Sequence, residues 1–127
     1  MSQTTHQSNT EKNKQLVSNF LEDTLNKHDI EAANKYLGQG PGRNNQQVIT
    51  KEDFKEARQR FFQEFPDSHT AIEHIVAEGD KVFVMLTTTA TSNQTGNRVT
   101  IKSADLYRIE NDKIVEHWDV VDRSGIA

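Results

Sequence analysis

Val99-Thr100-Ile101-Lys102-Ser103-Ala104-Asp105-Leu106-Tyr107-Arg108-Ile109-Glu110-Asn111-Asp112-Lys113-Ile114-Val115-Glu116-His117-Trp118-Asp119-Val120-Val121 is the stretch on which the fold turns. Two alternating runs flank Glu110-Asn111-Asp112-Lys113, a cluster of turn formers, and this is the pattern of a β-hairpin. Alternate side chains of a strand point to opposite faces. On the first strand Ile101, Ser103, Asp105, Tyr107 and Ile109 share one face. The second strand divides into Val115, His117, Asp119 and Val121 on one side and Ile114, Glu116, Trp118 and Val120 on the other. The turn decides which sets meet. A two-residue loop, Asn111-Asp112, sets Asp105 opposite Trp118. A three-residue loop, Glu110-Asn111-Asp112, sets Asp105 opposite His117. Asp tolerates the left-handed conformation that the longer loop needs, so the three-residue loop is the expectation. Asp105 and Asp119 then lie diagonally on one face, roughly 7 Å apart.

Two carboxylates, a His and a Tyr on an otherwise apolar face form a polar island. If helices cover that face, burial and mutual repulsion raise carboxylate pKa values. A carboxylate poised near neutrality suits proton transfer at a carbon next to a carbonyl. Asp119, Asp105 and His117 are therefore the candidate catalytic residues, with Tyr107 and Ser103 beside them for substrate binding. The bland alternative is that these groups pair with Arg108, Arg123 or backbone, since structural ion pairs also form such clusters. Trp118 sits on the opposite face and is a candidate dimer contact.

Upstream of the hairpin the period of two continues. Residues 69–78 and 82–91 read as strands, with turns at Glu78-Gly79-Asp80-Lys81 and Ser92-Asn93-Gln94-Thr95-Gly96-Asn97. Before Pro66-Asp67 the period is 3.6. Ser8 and Glu11 have capping-box spacing and start a helix near Thr10, with Leu16, Val17, Phe20, Leu21, Leu25 and His28 on one face. Asp29 is placed to cap a short second helix carrying Ile30, Ala33 and Leu37. Gly38-Gln39-Gly40-Pro41-Gly42-Arg43-Asn44-Asn45-Gln46-Gln47 reads as a breaker-rich loop. Thr50 with Asp53 opens a third helix whose stripe is Phe54, Ala57, Phe61 and Phe65. Phe61 and Phe65 are the members of that stripe expected to line a cavity. Helices first and antiparallel strands after give an α+β architecture, with one curved sheet carrying helices on one face.

The 127 residues suit one domain at 11–127 behind a disordered tail at 1–10. Only 33% are hydrophobic, below the usual share of about 45–50% even with glycine added. Such a thin core suggests apolar surface shared with a second subunit. The chain has no cysteine, which excludes a disulfide scaffold, a thiolate metal site and a cysteine nucleophile. No run is long and apolar enough to span a membrane, and the first ten residues lack a signal-peptide pattern. A cytoplasmic location is the default. The formal charge of −4 with no basic run gives nucleic-acid binding little support.

The remaining motifs carry less. His69 and His74, five apart on a strand, should face opposite ways and chelate no common metal. His28 reads as a helix C-terminal residue. The Gly38–Gly42 glycines follow a helix, not a strand, so they are no dinucleotide fingerprint. Asn93-Gln94-Thr95 matches a glycosylation acceptor without secretory context.

Phe65-Pro66-Asp67, Ile75-Val76-Ala77-Glu78-Gly79-Asp80-Lys81-Val82, Asp105-Leu106-Tyr107-Arg108-Ile109-Glu110 and above all Lys113-Ile114-Val115-Glu116-His117-Trp118-Asp119-Val120-Val121 resemble the SnoaL-like polyketide cyclase family. That family belongs to the nuclear transport factor 2-like (cystatin-like) superfamily. The resemblance covers about residues 13–123. It implies a cone-shaped barrel: three helices packed on a strongly curved antiparallel sheet around a pocket. It implies aldol-type ring closure, or related proton transfer, on a small hydrophobic carbonyl compound. No cofactor and no metal are implied, and homodimers through the outer sheet face are. Asp119 matches the family's acid/base Asp, and Asp105 falls at a second polar pocket position. Many relatives carry His and Asn after Tyr and before Pro in the segment that follows the second helix. Here Tyr36-Leu37-Gly38-Gln39-Gly40-Pro41 keeps Tyr36 as a pocket residue and places Gln39 where the His stands. Gln39 cannot titrate, and this departure leaves a non-catalytic ligand-binding or dimerisation module as the alternative function. Isomerase and hydrolase chemistry need the same carboxylate in a cavity.

Overall fold

The computed structural model describes residues 8–38, 42–45 and 47–126. Helices come first and long strands last, as the change of period requires. Helix α1 (Asn9–Leu21) widens into a π-helical turn (Glu22–Asn26). A 3-10 turn (Ile30–Ala32) leads into α2 (Ala33–Tyr36). Two short strands, β1 (Gly42–Asn44) and β2 (Gln47–Ile49), precede α3 (Lys51–Glu64). The long strands β3 (His69–Glu78), β4 (Lys81–Thr91), β5 (Arg98–Glu110) and β6 (Lys113–Asp122) follow, and a 3-10 turn (Ser124–Ile126) closes the series. No described helix is long and apolar enough to cross a membrane.

Capping chemistry sets the helix starts. Ser8 Oγ accepts from Glu11 N at 3.2 Å, so α1 begins at Asn9. Thr50 and Asp53 form a reciprocal capping box at α3. Asp29 acts through its backbone: its carbonyl accepts from Ala32 N at 3.1 Å, and its side chain caps nothing. His28 takes a left-handed conformation (φ 56°) after the π-helical turn and stacks on Phe62 at 3.9 Å.

The strands form one curved sheet, in the order β2-β1-β6-β5-β4-β3. The sheet is open at β2 and β3, not closed into a barrel. It is also mixed, because β1 runs parallel to β6 through Arg43↔Glu116 and Asn44↔His117. The region expected as pure loop thus holds a small hairpin. Gly-Arg-Asn has little strand propensity of its own; pairing with the free edge of β6, which is remote in sequence, makes it a strand. The inner face packs Val82, Val84, Tyr107 and Ile109 against Val17, Phe20, Leu21 and Leu25. Burying each such side chain contributes about 1.5–3 kcal/mol.

The decisive hairpin closes differently from expectation. Glu110 pairs with Lys113, leaving a two-residue turn with Asn111 at φ 52° and Asp112 at φ 60°. This is a type I′ turn, whose twist matches that of the strands. Alone it would set Asp105 against Trp118. A β-bulge intervenes: Ile109 pairs with Ile114 but Arg108 with Glu116, so Val115 is extra. The shift sets Asp105 opposite Asp119 and Tyr107 opposite His117. The expected residues share the inner face, but by turn plus bulge. Two glycines of the preceding segment pass close to the bulge. A Cβ on Gly38 would lie 3.3 Å from Val115 Cγ1, and one on Gly42 3.2 Å from Val115 O.

A second bulge, at Glu73, shifts β3 between Ile72 and His74. It returns His74 to the face of His69, against expectation. Five residues of strand still separate them by about 16 Å, too far to share an ion.

Two expected pocket residues belong to the core. Phe65 is 4% exposed and packs with Ala90 and Val99 in a satellite cluster, because α3 ends there and its chain turns into β3. Tyr36 donates its hydroxyl to Asp23 Oδ2 at 2.6 Å and meets Phe20 edge-on, because α2 docks on α1. Burial and the Asp23 bond push the Tyr36 hydroxyl up to about 12. The same bond holds Asp23 below its ordinary value.

Two outcomes test these local arguments. Asp112→Gly removes the strain of a left-handed Asp and should raise stability by up to about 1 kcal/mol, read as a higher urea midpoint at constant slope. Asp23 has a depressed folded pKa, so its contribution is present above its unfolded pKa of about 3.9 and is lost as pH falls through the lower folded value. Tyr36→Phe should therefore destabilise the chain at pH 7, and its deficit should shrink in urea titrations below about pH 4.

Candidate active site

Pleat, turn and bulge aim Asp105 from β5 and His117 and Asp119 from β6 at the inner face. Asp105 is only 5% exposed. His117 Nε2 lies 2.7 Å from Asp105 Oδ2, the distance of an imidazole N–H donating to a carboxylate. Its ring stacks on Tyr107 with centroids 4.5 Å apart and planes 9° from parallel. Phe20 meets the other ring of the pair edge-on at 6.0 Å. Burial, then the neighbouring Asp105 charge, push the Tyr107 hydroxyl well above its ordinary value, so it stays protonated at neutral pH.

Asp119 is held from the β1–β2 connection. Asn45 Nδ2 donates to Asp119 Oδ1 at 2.7 Å, and Asp119 N donates to Asn45 Oδ1 at 2.8 Å. Asn45 N in turn donates to His117 O at 2.8 Å. Asn45 makes these bonds in a left-handed conformation, φ 51°, which Asn tolerates. Its clamp occupies one Asp119 oxygen; the other makes no hydrogen bond among the described residues.

Asp105, Asp119, Tyr107, Ser103 and Phe61 line a cavity of about 140 Å³. Arg58 enters it from α3, and Arg123 lies at its wall. Arg58 is half-buried, its Nε is fully buried without a hydrogen-bond partner, and Asp105 Oδ1 is orphaned likewise. The Arg58 guanidinium stands over the Phe54 ring at 5.0 Å. Burial pulls its pKa down, and the nearby Tyr107, Asp105 and Asp119 oppose that; an arginine remains charged. Arg108 lies on the outer face with Glu116 and Glu110, so it does not neutralise the carboxylates.

One ligand atom each from Asp105, His117 and Asp119 lies within 4.8 Å of the others, a donor set that suits a divalent ion. In the chain as it stands Asp105 bonds His117, Asp119 bonds Asn45, and a cationic Arg58 shares the cavity.

Of the residues expected at the site, Asp105, Asp119, Tyr107, Ser103 and Phe61 line one cavity, and His117 does not line it but is joined to it through Asp105. Tyr36 and Phe65 do not reach it, and Gln39 lies outside the described residues. Arg58 and Asn45 went unread. Arg58 carries a signal: it follows Phe54 by four and precedes Phe61 by three, which puts a charge in an apolar stripe, while Ala57 is exposed. Asn45 carries none, because its role rests on a parallel pairing across the sheet.

No curated protein compared with the chain matches it. Among solved structures, TsrD from Streptomyces laurentii is similar at 23% identity, with 94% of this chain and 95% of that one covered and a TM-score of 0.83. A SnoaL-like polyketide cyclase from Agrobacterium tumefaciens matches at 19% identity over 90% and 94% of the two chains, with a TM-score of 0.81. A candidate polyketide cyclase from Acidithiobacillus ferrooxidans matches at 24% identity over 94% of each chain, with a TM-score of 0.79. At these identities the likeness establishes the fold. The sequence model of SnoaL-like polyketide cyclases matches residues 15–127, and the chain belongs to that family.

Proposed function

We propose that the chain is a cofactor-free acid–base enzyme that closes a ring by aldol-type condensation, or carries out a related proton transfer, on a small hydrophobic carbonyl compound. The observation that carries this reading is Asp119: one oxygen is clamped by Asn45 while the residue lines a partly open cavity beside the Asp105–His117 pair. Asp119 takes a proton from the carbon next to a carbonyl, leaving an enolate and a neutral carboxylic acid. The enolate carbon attacks a second carbonyl of the same molecule, a C–C bond forms, and the resulting alkoxide takes the proton back. Asp105 fixes the His117 ring, and Tyr107 and Ser103 bind the substrate. A cavity near 140 Å³ takes a group about the size of benzene, so it receives the reacting end of a larger molecule. That small volume also supports a second reading, a non-catalytic binding module.

A panel of enolisable ketones in D2O, followed by NMR, separates the two. The wild type should speed deuterium uptake at the α-carbon, and Asp119→Asn should lower the rate by about 10²-fold or more with an unchanged melting temperature. Equal rates in both proteins would remove Asp119 from the role. No acceleration by the wild type would favour the binding module.

We also propose a homodimer through the outer sheet face, where Val76 (58%), Met85 (45%) and Val120 (76%) are exposed beside half-buried Trp118. Scattered exposed apolar residues are ordinary; a contiguous set marks an interface. Val120→Glu should move the protein from dimer to monomer in size-exclusion chromatography at micromolar concentration. A monomeric wild type would overturn the assignment.

A further inference from the structure

Arg58 interrupts the aromatic stripe of Phe54, Phe61 and Phe65 on α3, and nothing in the acid–base scheme above uses it. Its Nε is buried with no hydrogen-bond partner, and in the same cavity Asp105 Oδ1 is buried with none. Two residues that line one cavity thus each carry an unmatched buried polar atom, which is costly. The two groups do not pair with each other. Arg58 makes no ion pair among the described residues, although two carboxylates line the same cavity. The Phe54 ring lies 5.0 Å from the guanidinium carbon, within cation–π range. Leu25, Leu86 and Ile101 supply apolar wall, and a charge in such surroundings acts on a ligand more strongly than in water.

We propose that Arg58 is the anion-binding group of this cavity. It holds the ligand oxygen that carries negative charge, while the ligand turns an acidic C–H or O–H toward the carboxylates of the sheet. The ligand class this selects is an enolisable carbonyl or a phenol-like enol: an oxygen acceptor at one end and an acidic hydrogen within one or two bonds of it. During proton removal by Asp119 the carbonyl oxygen gains charge, and the Arg58 guanidinium, entering the cavity from α3, is the cation that stabilises it. The inference rests on the reading of the cavity as the reactive site, but anion binding is measurable without turnover.

The probe is 4-nitrophenol, whose phenol and phenolate absorb at different wavelengths. The fraction ionised is followed against pH, free and saturated with protein. The wild type should lower the ionisation midpoint of the bound probe by at least one pH unit, a tenfold preference for the anion. Arg58→Met should abolish that shift or reverse it, since the two carboxylates then face the probe with only the solvent-exposed Arg123 left at the wall. Arg58→Lys keeps the cation and should retain part of the shift, which guards against a folding defect in the Met variant. Equal midpoints in the wild type and folded Arg58→Met, or no saturable binding of 4-nitrophenol to the wild type, would overturn the proposal. If Arg58 controls the midpoint but no ketone exchanges α-protons, the anion site stands and the enzymatic reading falls. If exchange depends on Asp119 while the midpoint ignores Arg58, the reverse holds.

Discussion

The extra residue in β6, Val115, is the constraint from which the site follows. A type I′ turn at Asn111-Asp112 obliges Glu110 to face Lys113. Without an insertion, His117 and Asp119 would then point outward, and Trp118 would enter the core. One bulge reverses that parity for the rest of the strand. It sends two polar residues inward beside Asp105 and leaves Trp118 and Val120 on the outer face. The bulge also shapes its surroundings, since Gly38 and Gly42 pass so close to Val115 that a side chain at either would press on it. The β1 strand can then lie along β6 and bring Asn45 to Asp119. Turn, bulge, glycines and clamp form one mechanical chain.

The inward carboxylates explain why the protein maintains a cavity in a domain with few apolar residues. Two acidic side chains cannot be packed against aliphatic ones without large desolvation. The structure instead gives each a partial partner. Asp105 receives the His117 imidazole and Asp119 the Asn45 amide. Arg58 supplies positive charge without contact. Each group is thus tied down on one side and left open on the other, which is the condition for a preorganised site. Elsewhere the same face is filled conventionally by Val82, Val84, Tyr107 and the α1 stripe. Part of the apolar deficit is local to the sequence of the first ten residues and residues 38–47. The rest corresponds to this polar-lined hollow.

Much of the fold was legible because it rests on short-range patterns. The 3.6 period of Val17, Phe20 and Leu21, the Thr50–Asp53 box and the alternation through residues 69–121 each report a local conformational preference. They place α1, α3 and the four long strands within a few residues. The candidate site was legible for the related reason that Asp105, Tyr107, His117 and Asp119 belong to one hairpin. Phe65 and Tyr36 do not line the cavity, because periodicity gives a face and not a neighbour. Phe65 is taken up by Ala90 and Val99, and Tyr36 by Asp23.

The sequence by itself determined the α+β order, the hairpin and the family, through local propensity and a closing motif whose letters are specific. Tertiary structure alone decided the bulge at Val115, the parallel β1–β6 pairing, the Asn45 clamp and the approach of Arg58 to the carboxylates. Each of those depends on contacts between segments far apart in the chain. A β-bulge costs little and leaves no compositional mark. Parity along a strand, which one residue reverses, is settled only when the helices cover one face and leave the other to solvent.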